Sequence, residues 1–272
     1  PKQAHADPEE DGPGNRLDGR DLTTEWTERH ANSAYVWNKE QFDKVDVTYT
    51  DHLLGLFDGS HMEYELDRPN DTGGEPSLSE MTAKAIALLA KNPEGYYLNV
   101  EAGRIDHAHH ATNPRRALTD TIELANAVRT AMAMTNPEET LIIVTADHSH
   151  VMTVAGYPTR GNPILGKVIG NDRFGAPKHQ PELAADGMPY TTIGYANGAG
   201  HQVLGDDESA DAIFAHPINK DGRADLSDVD TTAAGFHSET LIPIANETHS
   251  GEDVAVYATG PGSELVSGLM EQ

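Results

Sequence analysis

An apolar run that leads directly into polar, histidine-containing residues constrains this chain most. Residues 140–146 read TLIIVTA, a nearly continuous apolar run of the kind found in buried parallel strands. The preceding segment, 114–134, repeats apolar residues at three- and four-residue spacing and starts with proline, which predicts a helix. A strand is also predicted ahead of that helix, at 95–102. Strand, helix and strand in this order indicate a βαβ unit and an α/β sheet.

Other segments extend this prediction along the chain. Residues 76–92 predict a helix, with Ser77 or Ser79 as its cap. Residues 34–57 mix short strand and helix signals, and 253–260 returns to the pattern of a buried strand.

The segment 150–235 differs from the rest. Gly, Pro, Asn and Asp are frequent there and periodicity is weak, so we expect a long irregular insertion with one strand at 191–197. Long irregular segments in compact domains tend to be functional or to mediate contacts. The predicted organisation is an α/β part at 1–149, this insertion, and a return to the α/β part at 236–272.

Charge and cysteine content exclude several functions. Nineteen basic residues face 44 acidic ones, a net charge of −25, which argues against binding to a nucleic-acid backbone or to an anionic membrane surface. The acids are scattered, which favours adaptation to strong salt, where self-repulsion is screened. The chain has no cysteine, so disulfides and thiolate metal sites are excluded. No window reaches the roughly 18 apolar residues that span a membrane.

The first candidate site is the sequence VEAGRIDHAHH at 100–110. Glu101 ends the predicted strand, and Asp106 and His110 are four residues apart, so one helical turn would place both on one face. His107 and His109 stand between them. Zinc binds carboxylate oxygen and neutral imidazole nitrogen together, although a His-rich surface turn would give the same pattern.

Two further candidate sites follow predicted strands or precede them. Asp147 and His148 come directly after the apolar run, and His249 lies shortly before the strand predicted at 253–260. A strand-ending Asp turn and a solvated loop His are the alternatives. Ligands in open α/β sheets bind beyond the carboxyl ends of the strands, which would bring the first two clusters together. Six candidate ligands exceed the needs of one open zinc centre, so the sequence predicts a site for several metals.

These segments resemble the signature segments of the alkaline phosphatase family, in the same order. VEAGRIDHAHH, TADHSH and THSGEDVAVYATGPGS carry the resemblance, with NRLDGRDL, YVWN, LLGLF, PSLSEMT, GYPTRG and YANG around them. It implies a central, mostly parallel sheet flanked by helices, with a surface insertion of the crown type, of which this chain is a partial domain. The implied activity is metal-dependent hydrolysis of phosphate monoesters at alkaline pH through a phosphoserine.

The resemblance also implies a role for each candidate residue. The implied ligands are Asp106, His110 and His249 for a first zinc, Asp147 and His148 for a second zinc, and Glu101 for magnesium. His107 matches a residue near the substrate phosphate that binds no metal. The family usually has Gly-Gly before the Arg of its first motif, and Ala102 here replaces the first Gly.

A calcium-type site away from the chemistry is implied as well. Its residues match Glu9, the carbonyl of Phe57, Asp58 and Glu75, and oxygen ligands suit calcium. Solvated acids in a polar loop are the alternative. The resemblance further implies a homodimer and a periplasmic or secreted location.

The nucleophile is expected outside these 272 residues. In the family a nucleophilic Ser follows an Asp, and no Asp-Ser dipeptide occurs here; Ser60 and Ser149 do not match. Two other functions stay open at this point. One is a related phosphodiesterase or sulfatase, and the other is a non-catalytic, acidic metal-binding fragment.

Overall fold

The computed structural model describes residues 16–271, which form helices and short strands. The α-helices of this part are α1 (Leu22–Arg29), α2 (Lys39–Lys44), α3 (Leu78–Leu89), α4 (Arg104–His110) and α5 (Pro114–Met134). Its strands are β1 (Ser33–Val36), β2 (His52–Gly55), β3 (Ile142–Val144), β4 (Ser149–His150), β5 (Met152–Val154), β6 (Ile193–Gly198), β7 (Thr240–Pro243), β8 (His249–Ser250) and β9 (Tyr257–Thr259). Every helix in this part is too short or too polar to cross a lipid bilayer.

The described residues form two compact units. The first holds 16–104, 120–142 and 259–264, and the second holds 105–119, 143–258 and 265–271.

A small parallel βαβ arrangement organises the first unit. Strands β1 and β2 pair in parallel, and α2 connects them. Val36, Phe42 and Phe57 are buried together, and the two phenylalanine rings meet edge to face with centroids 5.9 Å apart. This cluster is the apolar core of the unit.

Helix α3 begins at a capping box. The Ser77 hydroxyl accepts from the backbone N–H of Glu80, and the Glu80 carboxylate accepts from the N–H of Ser77. Glu123, a buried residue of α5, accepts from the N–H of Ser79 at 2.9 Å. Side chains therefore satisfy three N–H groups of the first turn that have no partner within the helix.

The second unit contains two small sheets that matter for the site. Strand β6 lies between β5, which is antiparallel to it, and β7, which is parallel. Strands β4 and β8 form an antiparallel pair of two residues each, with Ser149 opposite Ser250 and His150 opposite His249.

The α/β class and both long helices are confirmed. Helix α5 occupies the predicted range, α3 starts at Ser77 as one of the two predicted caps, and β6 matches the strand predicted at 191–197 within two residues. The strands, however, are distributed over four small sheets in the described residues.

The predicted strand at 95–102 is wrong. No residue of that segment joins a β-ladder, and Tyr97 is 86% exposed. Because a strand needs a hydrogen-bonded neighbour, apolar composition alone does not create one. The βαβ unit expected around α5 is therefore absent from the described residues, and the parallel unit lies at β1–α2–β2 instead.

Two other strand predictions were right in place and wrong in extent. Strand β3 keeps only three residues of the apolar run and leaves Ile143 half exposed, and β9 keeps three residues of 253–260 with Tyr257 exposed. Among residues 16–271 the two strands pair only with each other, so neither has the two neighbours of a central strand there.

Candidate metal centre

Helix α4 places a carboxylate and an imidazole on one face. Asp106 and His110 are one turn apart, and Asp106 Oδ1 lies 3.4 Å from His110 Nε2. Ala108, on the opposite side of the same turn, is fully buried and packs the helix against the protein. The four-residue spacing therefore places both side chains on one face of the helix, as the sequence suggested.

The β4–β8 pair brings the second and third sequence clusters together. His150 and His249 are direct partners across this ladder. His148, just before β4, stacks on His249 with ring centroids 3.5 Å apart and planes at 17°. Two segments about a hundred residues apart in sequence thus share one small surface.

The carboxylate of Asp106 lies among four imidazoles. From Asp106 Oδ1 the Nε2 atoms lie at 2.9 Å for His150, 3.2 Å for His249, 3.4 Å for His110 and 3.9 Å for His148. Asp106 Oδ1 and His150 Nε2 are buried, and neither makes a well-formed hydrogen bond. Buried polar atoms without a partner are costly, so an ion that such atoms can bind would remove this cost.

Three of these groups have the spacing of a zinc site. Ligand atoms about 2.1 Å from a tetrahedral ion lie about 3.4 Å from one another. The atoms of Asp106, His110 and His249 are separated by 3.2, 3.3 and 3.4 Å. One carboxylate and two imidazoles leave a fourth position open, as in catalytic zinc sites. The residues present therefore fit a zinc ion.

Two overlapping sets also offer convergent ligand atoms. One atom each from Asp106, His148, His150 and His249 lie within 4.8 Å of one another, and so do atoms of His110, His150 and Glu247. The cluster has enough nitrogen and oxygen donors for more than one cation.

The charges within the cluster favour an ionised Asp106. Burial acts to raise the pKa of Asp106, but His110, His150 and His249 outweigh it and the pKa is lowered. Burial acts to lower the pKa of His150, but the hydrogen bond and charge of Glu247 raise it overall. Metal binding requires deprotonated ligands, so an ionised Asp106 is ready for it.

His109 and Tyr195 pack next to the imidazole cluster around Asp106. His109 stacks on His150 with ring centroids 4.7 Å apart, and its Nδ1 lies 2.9 Å from the hydroxyl of Tyr195. Burial, with the nearby charge of His150, lowers the pKa of His109 to about 4. His109 is therefore a neutral packing partner at physiological pH.

The turn between α4 and α5, residues 111–113, and the first turn of α5 are held by a distant segment. The carbonyl of Ala234 accepts from Asn113 Nδ2 at 2.8 Å and from Arg116 Nη1 at 2.6 Å, and His237 Nδ1 donates to Ala111 O at 2.6 Å. Asn113 Oδ1 also accepts from the N–H of Arg116, so it caps α5. These contacts fix the end of the helix that carries Asp106.

The other predicted site residues are Asp147, His107 and Glu101. The side chain of Asp147 is 85% exposed, with Oδ2 3.5 Å from His148 Nε2. His107 lies half-buried on α4. Glu101 is exposed and belongs to the first unit.

Sequence reasoning missed two residues of the cluster. His150 lies in the segment TADHSH, two residues after His148, and Glu247 lies two residues before His249. The two-residue spacing was an available signal, because alternate residues of a strand share a face. Glu247 has the same spacing from His249, but no local signal predicts its burial, which depends on partners far away in sequence.

The residues suggested for calcium lie in the first unit, except Glu9, which is outside the described residues. Phe57 and Glu75 are buried, and Asp58 is half-buried. Glu75 accepts from the N–H of Glu63 at 2.8 Å. Burial, with the charges of Asp71, Asp58 and Glu63, raises its pKa to about 7. A nearby cation would stabilise the ionised form.

Fold and site together define an α/β protein with a carboxylate and imidazole cluster able to hold divalent cations. The family model described as alkaline phosphatase matches residues 1–272. The chain belongs to the alkaline phosphatase family.

Curated relatives agree with this assignment. The tissue-nonspecific alkaline phosphatase isozyme of Gallus gallus is 42% identical over 262 residues, 95% of this chain and 45% of that protein. The same isozyme of Homo sapiens is 40% identical over 263 residues, with the same coverage. The chain thus spans less than half the length of these relatives.

One solved structure shows the fold of this chain, and a second is similar in sequence over part of it. A mutant alkaline phosphatase from TAB5, described with Mg bound in its M3 site, aligns over 92% of this chain and 51% of its own, with a TM-score of 0.53 and 20% identity. Thermus thermophilus alkaline phosphatase is 34% identical over 53% of this chain and 30% of its own, with a TM-score of 0.48.

Proposed function

We propose that this chain supplies metal-binding residues of a phosphomonoesterase that acts at alkaline pH. The observation that carries the proposal is the tetrahedral spacing of Asp106, His110 and His249, in a chain of the alkaline phosphatase family. These three residues would hold one zinc ion and leave a position open toward solvent or substrate.

Bound cations would supply positive charge to offset the charge on phosphoryl oxygens in the transition state. The chain's own task is to hold the donor atoms in place. Helix α4 orients Asp106 and His110, and the β4–β8 pair orients His249. His107 is proposed to lie near the substrate phosphate, and the nucleophilic Ser, on which a phosphoserine would form, is proposed to lie outside this chain.

The finer assignments extend the same proposal. His148 and Asp147 are proposed ligands of a second zinc, and Glu101 of a magnesium ion. Glu9, Phe57, Asp58 and Glu75 are proposed for calcium. The buried Glu75 supports this last site, because burial and, after it, the charges of acidic neighbours raise its pKa, and a divalent cation would favour the ionised carboxylate.

The setting of the whole protein is also proposed from its family. We propose a homodimer in the periplasm or outside the cell, adapted to strong salt, with 150–235 as a crown-type insertion. The net charge of −25 supports salt adaptation, and the irregular structure of that segment, with β6 as its longest strand, supports the insertion.

The test combines metal binding with hydrolysis. Zinc stoichiometry and turnover of p-nitrophenyl phosphate would be measured at alkaline pH in high salt, on this polypeptide and on the longest natural product that contains it. Asp106→Ala and His249→Ala should each lose a zinc ion and lower kcat by at least about 100-fold. His179→Ala, a change at an exposed histidine, is the matched control.

Other results of these two measurements would point to a different function. Hydrolysis of a phosphodiester or sulfate ester in preference to the monoester would replace the proposed activity with that of a related hydrolase. Zinc binding with no turnover in either product would support a non-catalytic metal-binding role. Turnover that survives both substitutions would overturn the proposed site.

A further inference from the structure

Glu247 is among the most buried charged residues in the described part of the chain, at 1% exposure, and it contacts the candidate metal centre at several atoms. It lies just before β8, two residues from His249. Burying a carboxylate is costly unless its oxygens accept hydrogen bonds. The contacts of Glu247 with neighbouring donors supply such hydrogen bonds.

The backbone of Glu247 fixes the orientation of His110. Its carbonyl oxygen lies 2.7 Å from His110 Nδ1, and its N–H donates to the carbonyl of His110 at 3.2 Å. A carbonyl can only accept, so His110 Nδ1 carries the proton. In the neutral ring the lone pair is then on Nε2, the atom that faces Asp106 and His249.

The side chain of Glu247 fixes the orientation of His150. Oε2 lies 2.7 Å from His150 Nδ1, and Oε1 accepts from the N–H of Val151 at 2.8 Å. Both oxygens therefore accept at once, and His150 Nε2 is held 2.9 Å from Asp106 Oδ1. Histidines at metal sites are commonly oriented by such contacts to the far ring nitrogen.

We propose that Glu247 is a positioning residue of the metal centre: its carboxylate holds His150 against Asp106 while its carbonyl holds His110 with Nε2 free to bind zinc. This inference rests on the proposed function and adds a residue to it. Each carboxylate oxygen of Glu247 already accepts from a donor of the protein, so the proposal assigns Glu247 to orienting the rings and not to binding the ion.

An alternative assigns Glu247 to the metal. His110, His150 and Glu247 each offer an atom within 4.8 Å of the others. If the ion were bound through the Nδ1 atoms that lie near the Glu247 carboxylate, both of these nitrogens would have to be deprotonated. The 2.7 Å contact of His110 Nδ1 with a carbonyl oxygen argues against this, because two acceptors would then face each other.

The test begins with Glu247→Gln in the full natural protein. The amide of Gln has one acceptor oxygen where the carboxylate has two, so it cannot accept from both His150 and Val151. Zinc affinity should fall about 10- to 100-fold while the number of bound zinc ions stays the same. Glu252→Gln is the matched control, because Glu252 accepts from Ser149 on the same strand pair but is exposed and contacts no imidazole in these hydrogen bonds.

Two further measurements separate positioning from folding. Long-range proton–nitrogen spectra at one alkaline pH should show an altered tautomer pattern at His150 in Glu247→Gln, and an unchanged Nδ1–H at His110. His150→Gln and the double variant complete a cycle: their losses of zinc affinity should be strongly non-additive if Glu247 acts through His150.

Several results would overturn the inference. Loss of a zinc ion in Glu247→Gln would make Glu247 a ligand. Unchanged zinc affinity, or additive losses in the cycle, would leave it a purely structural residue. If Glu247→Gln fails to fold, a His150→Gln variant that keeps the zinc affinity of the wild type would likewise overturn the inference. Zinc losses as expected in a protein that hydrolyses no phosphate monoester would uphold the positioning role and refute the proposed function.

Discussion

At the scale of single residues, the candidate metal centre depends on the orientation of the imidazole rings around Asp106. Asp106 Oδ1 lies within 3.9 Å of four imidazole nitrogens, yet no well-formed hydrogen bond satisfies it. Glu247 accounts for this arrangement in part, because it binds the far side of two of the rings. Their near sides are left directed at Asp106.

His237 provides a test of burial at this scale. It is fully buried, and burial lowers its pKa to about 4, opposed by the hydrogen bond to Ala111 and aided by the charges of Arg116 and His201. The unfolded chain, with a histidine pKa near 6.5, gains a proton first as pH falls. Stability should therefore decrease from about pH 6.5 down to about pH 4, by about 3 kcal/mol from this residue.

His237→Gln removes that titration. Urea unfolding at about pH 7 and about pH 4.5, with chelator present, should show a smaller loss of unfolding free energy in the variant than in the wild type. His216→Gln, at an exposed histidine, should keep the wild-type difference. Equal losses in all three proteins would show that His237 titrates normally in the folded state.

At the scale of elements, the turn between α4 and α5 shows how distant segments build the site. Thr112 has a positive φ of 53°, and a Cβ at Gly198 of β6 would lie 2.6 Å from its Cγ2. Glycine at 198 therefore lets β6 approach this turn. The carbonyl of Thr112 accepts from the N–H of Ser238 at 2.8 Å, which continues the contacts made by Ala234 and His237.

The helices could be predicted from sequence because their signals are local. Pro114 at the start of α5 and the Ser77 capping box lie within the segments they define. The apolar stripe predicted for α5 was nevertheless a poor guide to burial. Ile122 is 62% exposed, whereas Glu123 beside it is buried and accepts a hydrogen bond from the N–H of Ser79.

The strands and the β4–β8 pair could not be predicted in the same way. His150 and Glu247 are 97 positions apart, and their contact depends on a ladder of two residue pairs. Neither segment contains a sequence signal for the other. The convergence of Asp106, His110, His148 and His249 followed instead from resemblance to known motifs and from their positions near predicted strand ends.

Glu123 gives the prediction that belongs to the elements. Burial acts to raise its pKa, but hydrogen bonds from Ser79 and Asn126 outweigh it and lower the pKa. Glu123→Ala leaves the N–H of Ser79 without its partner, which should cost about 1–3 kcal/mol of unfolding free energy. Chemical denaturation measures this directly. Glu28→Ala, at an exposed helical glutamate, should change stability by less than about 0.5 kcal/mol. Equal losses in both variants would show that the hydrogen bond from Ser79 to Glu123 does not stabilise the protein.

At the scale of the whole molecule, the charge of −25 predicts a dependence on salt. The Debye length falls from about 30 Å at 0.01 M to about 3 Å at 1 M, so self-repulsion of the folded state is screened. The free energy of unfolding should rise on the order of 1–3 kcal/mol over this range, and urea denaturation at both salt concentrations measures the rise. Sucrose in place of salt is the control for excluded-volume effects; an equal gain in sucrose would refute a charge origin.

Zinc should stabilise the molecule unevenly. Asp106, His110, His148 and His249 all belong to the second unit, so only openings that disrupt this unit should become rarer when the ion binds. At free zinc 100 times the dissociation constant, this stabilisation is about 2.7 kcal/mol. Hydrogen exchange with and without zinc should therefore show slower exchange around α4, β4 and β8, and little change in α3. Asp106→Ala should abolish the difference. Equal slowing in α3 would mean instead that the two units open as one cooperative body, and that the ion stabilises the whole described chain.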